Sequence, residues 1–376
     1  MKGAASLPSH LAAGLTKRHL PSLDGLRAVA AFTVVGYHFG WEWSPGGLGV
    51  LAFFVLSGFL ITWLLLEEEE RHGSISLKRF YTRRSLRIFP AFYAYWFLLV
   101  AAWLLFQKRV VAGQAIAAFF YVNNYYQAIQ GDPNTGLSHT WSLGIEEQFY
   151  LIWPLVFLAL RRNSRRIAFL IAGIGGVVLY REALVFLAHR DQGYIYEAFD
   201  TRGDHLMVGC LLAVGLRAGA APGLWQKLCA TPAMMWMTMG LLTLSTVLAL
   251  RFGTLYRDAV AFVIDPLLIA ALLTQTIAYS GTAMAAPLNW GWVRYLGTIS
   301  YSIYLYQQPL VRPMTRMAES RSLPTFPVAI GAVLIAASAS YWIVERPFLR
   351  LKKHFESPER AAAVPEPTVG ARLSGQ

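Results

Sequence analysis

Long apolar stretches separated by short polar segments dominate this chain and recur from about residue 28 to residue 344. Most of them approach the roughly 20 apolar residues that a helix needs to cross a bilayer. The pattern therefore predicts an all-α, polytopic membrane protein of about ten transmembrane helices. The predicted spans are 28–43, 48–66, 90–106, 142–160, 167–187, 205–219, 233–250, 258–279, 293–311 and 325–344.

Basic residues gather at the ends of these stretches and indicate how the chain is oriented. With the N-terminus in the cytoplasm, the ten spans place roughly two thirds of the 33 lysines and arginines on the inner side, as the positive-inside rule expects. The inner clusters are 71–87, 161–166 and 350–353. We therefore expect both termini to be cytoplasmic.

The apolar segment 114–130 is predicted not to cross the membrane. A crossing here would move the four arginines of 161–166 to the outside, against the same rule. Its tyrosines suit the headgroup region, so we interpret the segment as one interfacial or re-entrant helix. The predicted domains are a cytoplasmic N-terminal segment (1–20), a membrane domain (21–355) and a disordered cytoplasmic tail (356–376).

Composition supports the membrane interpretation and excludes a soluble domain. Hydrophobic residues make up 56% of the chain, charged residues 14%, and the mean hydropathy is +0.43. The net charge of +12 does not predict nucleic-acid binding, because the basic residues follow the membrane topology. The two cysteines provide neither a disulfide framework nor a metal-ligand cluster, so no metal is expected.

The first span contains ionisable groups on one helix face. Arg27 and His38 are eleven residues apart, which is about three turns, and Asp24 falls within about 40° of the same face. Charged groups inside a membrane span suggest function, here anion binding and proton transfer. The alternative is a snorkelling arginine and a hydrogen-bonded interior histidine. The two groups are roughly 16 Å apart along the axis, so they cannot touch.

The inner segment before the third span carries a candidate anion clamp. Arg84 and Arg87 are spaced i, i+3, and Arg83 adjoins them, so a helix would present them together. Arginine suits phosphate because its planar fork donates two hydrogen bonds. The alternative is a simple positive-inside anchor. Pro90 is expected to kink or begin the next span.

Polar groups also occur where two later spans enter from the predicted outer side. Glu146 and Glu147 stand near the start of one helix, after His139, and Arg202 and Asp204 stand at the start of another. They are candidate acceptor-side or supporting residues. The alternatives are a helix-dipole effect for the glutamates, a solvated loop for His139 and an Arg202–Asp204 pair.

Two further features of the spans have structural explanations. Glycines at 46, 47, 49 and 58 in the second span permit a close approach, either of a neighbouring helix or of a ligand. Ser57 is not expected to be a nucleophile, because no base lies near it in sequence. Asp265 precedes Pro266, whose kink would free backbone groups to satisfy it, and is interpreted as structural.

An ordered set of motifs resembles the membrane acyltransferase-3 family. Any one motif is weak, but together they run in family order from about residue 20 to residue 350. The matching segments are Leu23–Arg27, Tyr37–His38, Phe53–Ile61, Arg83–Pro90, Thr140–Tyr150, Thr201–Gly209, Ser300–Leu305 and Glu345–Pro347.

The resemblance implies an integral O-acyltransferase of the bacterial-type inner (plasma) membrane. Such enzymes move an acyl group, commonly acetyl, from a coenzyme A thioester to a hydroxyl. Acyl-CoA is then a co-substrate, and no permanently bound cofactor is expected. The acceptor would be a carbohydrate, a lipid-linked saccharide or a small metabolite. Membrane lipids are the other expected partners; no nucleic acid is expected, and the sequence does not indicate the oligomeric state.

The resemblance also implies roles for particular residues. The family's essential Arg-x10-His pair corresponds to Arg27 and His38, and its donor-associated Arg-x-x-Arg element to Arg84 and Arg87. Many relatives carry a histidine where this chain has Gln307, which removes one possible proton relay. Some members carry a fused extracytoplasmic hydrolase-like domain, and we expect none after residue 355.

These observations lead to one mechanism and two rivals. We expect His38 to act as the general base, with Arg84 and Arg87 holding the nucleotide phosphates on the inner side. The acceptor would enter from outside, past Glu146 and Asp204. The rivals are a transporter or lipid- or glycan-binding membrane protein without acyl-transfer activity, and a catalytically inactive scaffold.

Overall fold

The structure is a computed structural model that describes residues 7–17, 20–41, 43–106, 110–353 and 355. Within these ranges the regular elements are all helical. The helices are α1 (Ser9–Thr16), α2 (Pro21–Phe39), α3 (Gly46–His72), α4 (Leu77–Leu105), α5 (Ala112–Phe119), α6 (Asn123–Gln130), α7 (Trp141–Ala159), α8 (Asn163–Phe186), α9 (Gln192–Glu197), α10 (Phe199–Ala218), α11 (Pro222–Leu228), α12 (Ala233–Tyr256), α13 (Phe262–Ala278), α14 (Ala286–Asn289), α15 (Gly291–Thr298), α16 (Ser300–Ser320), α17 (Thr325–Ser340) and α18 (Arg346–Lys353). The tail predicted at 356–376 lies outside the described residues.

Within the described residues the chain is all-helical, as predicted, and several of its helices suit a membrane. Five helical stretches of the described chain are long and apolar enough to cross a membrane, and a sixth is added if α10 and α11, with α9, count as one bent span. One stretch, Ala233–Ala278, has 46 residues, and at 1.5 Å per residue it would extend about 69 Å, twice the hydrocarbon thickness. It bends instead at Gly253, where φ is 70°, so that α12 packs against α13.

The segment 114–130 was predicted as one helix and is two. Tyr121, with φ of 57°, separates α5 from α6. Each helix has eight residues and is about 12 Å long, so neither can span a bilayer. The apolar side chains of Ile116 and Phe120 are exposed, whereas the buried polar side chains are Gln114, Asn123, Asn124 and Gln127.

Helix α4 begins earlier than the apolar pattern predicts. It starts at Leu77, where the Ser76 hydroxyl caps it by accepting a hydrogen bond from the Arg79 amide at 3.3 Å. It then continues through Pro90 to Leu105. The predicted span at 90–106 is therefore the second half of a longer helix, and the clamp arginines lie in its first half.

Helices α3 and α10 cross closely because each has a glycine at the contact. A Cβ at Gly58 would lie 2.0 Å from the Leu206 carbonyl oxygen, and one at Gly209 would lie 2.1 Å from that of Val55. Of the two explanations offered for Gly58, neighbouring-helix packing is the one that the structure supports.

Three consecutive glutamates at the end of α3 tie it to three other helices. Glu68 pairs with Arg83 of α4 at 2.6 Å, and Glu69 accepts two hydrogen bonds of 2.7 Å from Arg166 of α8. Glu70 accepts from Arg217 of α10 at 2.9 Å. These charge-assisted bonds fix the end of α3 relative to α4, α8 and α10.

Candidate active site

A cavity of about 610 Å³ lies where the ends of α2, α7 and α9 meet α16, at the side predicted to face outward. Its apolar wall includes Trp141, Tyr196 and Phe262, and its polar lining includes His38 and His139. The remaining polar residues that line it are Tyr37, Ser44, Asp132, Ser138, Gln192, Glu197, Thr246, Thr254, Arg257, Asp265, Tyr304 and Gln308. Aromatic faces beside hydrogen-bonding groups suit a ligand rich in hydroxyls.

His38 is held in a defined orientation near the end of α2. Its Nδ1 lies 3.0 Å from the Val34 carbonyl oxygen, one helical turn back. A carbonyl can only accept, so Nδ1 carries the ring proton and Nε2 keeps its lone pair. The ring is only partly buried and lines the cavity. A neutral imidazole with a free Nε2 is suited to take a proton from a ligand.

His139 shares this cavity, although the sequence analysis left it as a possible solvated loop residue. It lies in a short turn of Ser138–Thr140 that precedes α7, and only 3% of its surface is exposed. Its Nδ1 contacts Gln308 at 2.7 Å. Burial lowers the pKa of His139 to about 3, so the ring is neutral. Its place directly before the Thr140–Tyr150 motif was the sequence signal for a site residue.

Arg84 lies in a separate cluster of charged groups. Its guanidinium is 3.7 Å from Glu146 and 3.8 Å from Glu147, and it stacks 3.6 Å above the Tyr150 ring. Ser57 and Tyr150 donate hydrogen bonds to Glu146 at 3.0 and 3.1 Å. The acceptor side was the expected place of both glutamates, but the structure brings them to this arginine.

Arg27 belongs to the same cluster, which we call the arginine cluster (Arg27, Arg84 and Arg87). Arg27 pairs with Asp24 at 3.0 Å and is close enough to the other two arginines to be repelled by them. A small cavity of about 170 Å³ reaches Arg27 and Asp24 from the predicted inner side. Arg83, the third residue of the predicted clamp, turns away to pair with Glu68.

Arg202 and Asp204 do not pair with each other through a hydrogen bond. Asp204 binds Arg181 at 2.9 Å, and both side chains are almost fully buried. Arg202 donates to His205 Nδ1 at 3.1 Å and stacks 3.9 Å from the Phe262 ring. They therefore lie behind the aromatic wall, and among the described residues that line the cavity neither is present.

The cavity and the arginine cluster are separated by little more than one helical turn. The described residues that line the 610 Å³ cavity include none of the three arginines. On α16, however, Tyr301 lies near Arg84 while Tyr304 lines the cavity, a rise of about 4.5 Å. On α7 the step from Trp141 to Glu146 is about 7.5 Å. The same helices thus contribute to both places.

In the described part of the chain, no group of three or more histidine, cysteine, aspartate or glutamate side chains is placed to hold a metal ion. The fold and the site define a polytopic helical membrane protein whose interior holds a histidine-lined cavity above a cluster of arginines. Residues 20–345 match the family model described as the acyltransferase domain of the acyltransferase-3 type, and the chain belongs to that family. The predicted family membership is confirmed.

Named relatives of the chain are O-acetyltransferases. The chain is 32% identical over 355 residues to a peptidoglycan O-acetyltransferase of Listeria monocytogenes, covering 88% of this chain and 56% of that protein. It is 32% identical over 351 residues to a putative peptidoglycan O-acetyltransferase of Bacillus subtilis, covering 88% and 55%. The chain thus spans little more than half the length of these relatives. No solved structure was found to match it.

Proposed function

We propose that this protein is an integral membrane O-acetyltransferase that moves an acetyl group from acetyl-CoA to a hydroxyl of a cell-surface glycan. The observation that carries the proposal is the free Nε2 of His38, held by the Val34 carbonyl and lining a 610 Å³ cavity. Membership of an acyltransferase family supports the reaction class. The names of the relatives support acetyl as the group and peptidoglycan as the kind of acceptor.

A thioester donor is already activated and reacts readily with alkoxides. The reaction therefore mainly needs a base that deprotonates the acceptor hydroxyl. His38 Nε2 accepts the proton of the acceptor hydroxyl as its oxygen attacks the thioester carbonyl. The tetrahedral intermediate then collapses, the carbon–sulfur bond breaks, and the thiolate of coenzyme A takes the proton from the imidazolium. The products are the O-acetyl ester, free coenzyme A and a neutral His38.

The arginine cluster is proposed to bind the phosphates of coenzyme A. Both contacts of Arg84 with its glutamates are longer than a hydrogen bond, and its buried Nε has no partner among the described residues. The guanidinium therefore keeps hydrogen-bonding capacity for an anion. Arg87 adds a second donor group one turn along α4, where Glu345 is its electrostatic neighbour in the described chain.

The proposed topology places these two sites on opposite sides of the membrane. Ten spans, with both termini in the cytoplasm, put the arginine cluster toward the inner face and the His38 cavity toward the outer face of a bacterial inner membrane. In this topology α12 and α13 are two of the spans, which the bend at Gly253 supports. The pantetheine arm would then run along α16 from Tyr301, near Arg84, to Tyr304 in the cavity wall.

Transfer of label from radioactive acetyl-CoA to an N-acetylglucosamine tetramer tests the reaction directly. The full chain in lipid nanodiscs should label the glycan, and His38→Gln should lower the rate at least 100-fold because the base is lost. His72→Gln replaces an exposed histidine and should leave the rate unchanged. If His38→Gln acetylated the glycan as fast as the wild type does, the assignment of His38 as the base would be contradicted.

Thermal stabilisation by coenzyme A tests the donor site without requiring turnover. Coenzyme A should raise the Tm of the wild type, and Arg87→Gln should abolish most of this rise because a phosphate ligand is removed. Arg79→Gln removes an exposed arginine of the same helix and should keep the full rise. A transporter or binding protein without transfer activity would move or bind the glycan but leave acetyl-CoA unconsumed.

A further inference from the structure

His139 lines the cavity and carries a second neutral imidazole that the proposed mechanism does not use. Its Nε2 is buried and has no hydrogen-bond partner among the described residues. The residue lines the same cavity as His38 and is close enough to interact with it electrostatically. A buried acceptor without a partner is costly, which points to a ligand that donates to it.

The hydrogen bonds around the ring decide which nitrogen carries the proton. Gln308 Oε1 accepts a hydrogen bond from the backbone N–H of His139 at 2.8 Å. The oxygen of the Gln308 side-chain amide, not its nitrogen, therefore faces His139. The same oxygen lies 2.7 Å from His139 Nδ1, and because an amide oxygen can only accept, Nδ1 must be the donor. Nε2 is therefore left with its lone pair.

The surroundings hold the ring in this state. The Tyr304 hydroxyl donates to the His139 carbonyl at 2.9 Å and is itself bonded to Ser142. The titratable groups that face the ring are His38, Tyr95 and Tyr304, and the Gln308 amide and the Leu305 carbonyl also lie against it. Since burial lowers the pKa of His139 to about 3, the ring keeps only its Nδ1 proton at neutral pH and can accept a hydrogen bond at Nε2.

We infer that His139 binds the acceptor by accepting a hydrogen bond at Nε2 from a second donor group next to the acylated hydroxyl, and that Gln308 is its positioning residue. This inference rests on the proposed function. The two histidines then have different roles. The reacting hydroxyl gives its proton to His38, while a neighbouring hydroxyl or amide N–H donates a hydrogen bond to His139. The site would thus select acceptors that carry two adjacent donor groups, as sugars do.

Acceptor kinetics with substrate analogues test this division. N-acetylglucosamine tetramers and their mono-deoxy analogues serve as acceptors for the full chain in nanodiscs. The wild type should discriminate roughly 10- to 100-fold against the analogue that lacks the docking hydroxyl, because a buried acceptor is then unpaired. His139→Phe should lose this discrimination and raise the KM for the normal acceptor, with the KM for acetyl-CoA unchanged.

The Gln308→Leu variant tests the positioning role of Gln308. It also provides a second test of the inference if His139→Phe fails to fold. Without the amide oxygen the ring can exchange tautomers, so the KM for the acceptor should rise about tenfold. Gln130→Leu is the matched control, since Gln130 is an exposed glutamine at the end of α6. It should keep the wild-type KM and discrimination.

Imidazole ¹⁵N chemical shifts measure the tautomer even in the absence of turnover. In protein labelled with ¹⁵N at histidine, the His139 signals are those that disappear in His139→Phe. In the wild type these signals should show a protonated Nδ1 and an unprotonated Nε2 from pH 8 down to pH 5. Addition of the tetramer should shift the Nε2 signal toward the hydrogen-bonded value. A protonated Nε2, or a wild-type KM and discrimination in His139→Phe, would overturn the inference while leaving transfer activity intact. Absence of transfer in the wild type would instead overturn the proposed function.

Discussion

Replacing Gly209 by alanine would disturb the crossing that places two walls of the site. The added Cβ would lie 2.1 Å from the Val55 carbonyl oxygen and 2.7 Å from the Phe59 amide nitrogen. Both atoms belong to the backbone of α3, so no side-chain rotation can relieve the contact. To reach ordinary van der Waals distance the two helices must separate by about 1 Å.

The cost of this separation can be worked from two opposing effects. Overpacking a well-packed contact costs about 1–3 kcal/mol, and the rigid backbone on both sides places Gly209→Ala near 3 kcal/mol. Alanine is about 1 kcal/mol better than glycine inside a helix, which offsets part of the loss. The free energy of unfolding should therefore fall by about 2 kcal/mol, and the Tm by several degrees.

Thermal unfolding in nanodiscs measures this change, and Gly240→Ala provides the control. A Cβ at Gly240 in α12 would meet nothing within 4 Å, so this variant should be as stable as the wild type or slightly more stable. Gly209→Ala should also slow transfer, because α3 carries Ser57 beside the arginine cluster and Leu51 in the cavity wall. Equal Tm values for the two variants would refute the packing argument.

Two further predictions concern the charged groups of the interior. Glu69→Gln leaves the buried Arg166 without its charge partner and should lower stability by about 3 kcal/mol, seen as a lower Tm, whereas Glu70→Gln at a 46% exposed carboxylate should cost less than about 1 kcal/mol. Glu147→Gln removes a carboxylate that competes with phosphate for Arg84 and should tighten coenzyme A binding roughly threefold by calorimetry; weaker binding would contradict the competition.

The sequence predicted those features that depend on one helix. The three-turn separation of Arg27 and His38 follows from helical geometry alone, and the structure places them in different sites. The positive-inside rule also argued against a crossing at 114–130, but it could not show the break at Tyr121, which depends on a positive φ. The early start of α4 was missed because its first half is too polar for a span signal.

Sequence patterns did not predict which side chains of distant helices contact one another. Glu146 and Arg84 are 62 positions apart, and only the tertiary fold brings their charges together. The partner of Asp204 is Arg181 on α8, although Arg202 is nearer in sequence. Likewise, a short turn becomes a buried site because Gln308 and Tyr304 of α16 cover His139. Hydrophobic periodicity finds helices but does not specify which polar faces meet.

The shared use of helices by the cavity and the arginine cluster makes their separation a fixed property of the fold. Four helices contribute residues to both places: α2, α3, α7 and α16. One pair from each helix is Arg27 and His38, Ser57 and Leu51, Glu146 and Trp141, and Tyr301 and Tyr304. Because helices do not stretch, a donor anchored at the arginines must place its thioester at a set height. A change of side chain between Tyr301 and Tyr304 can open the path, but only a shift of a whole helix can change that height.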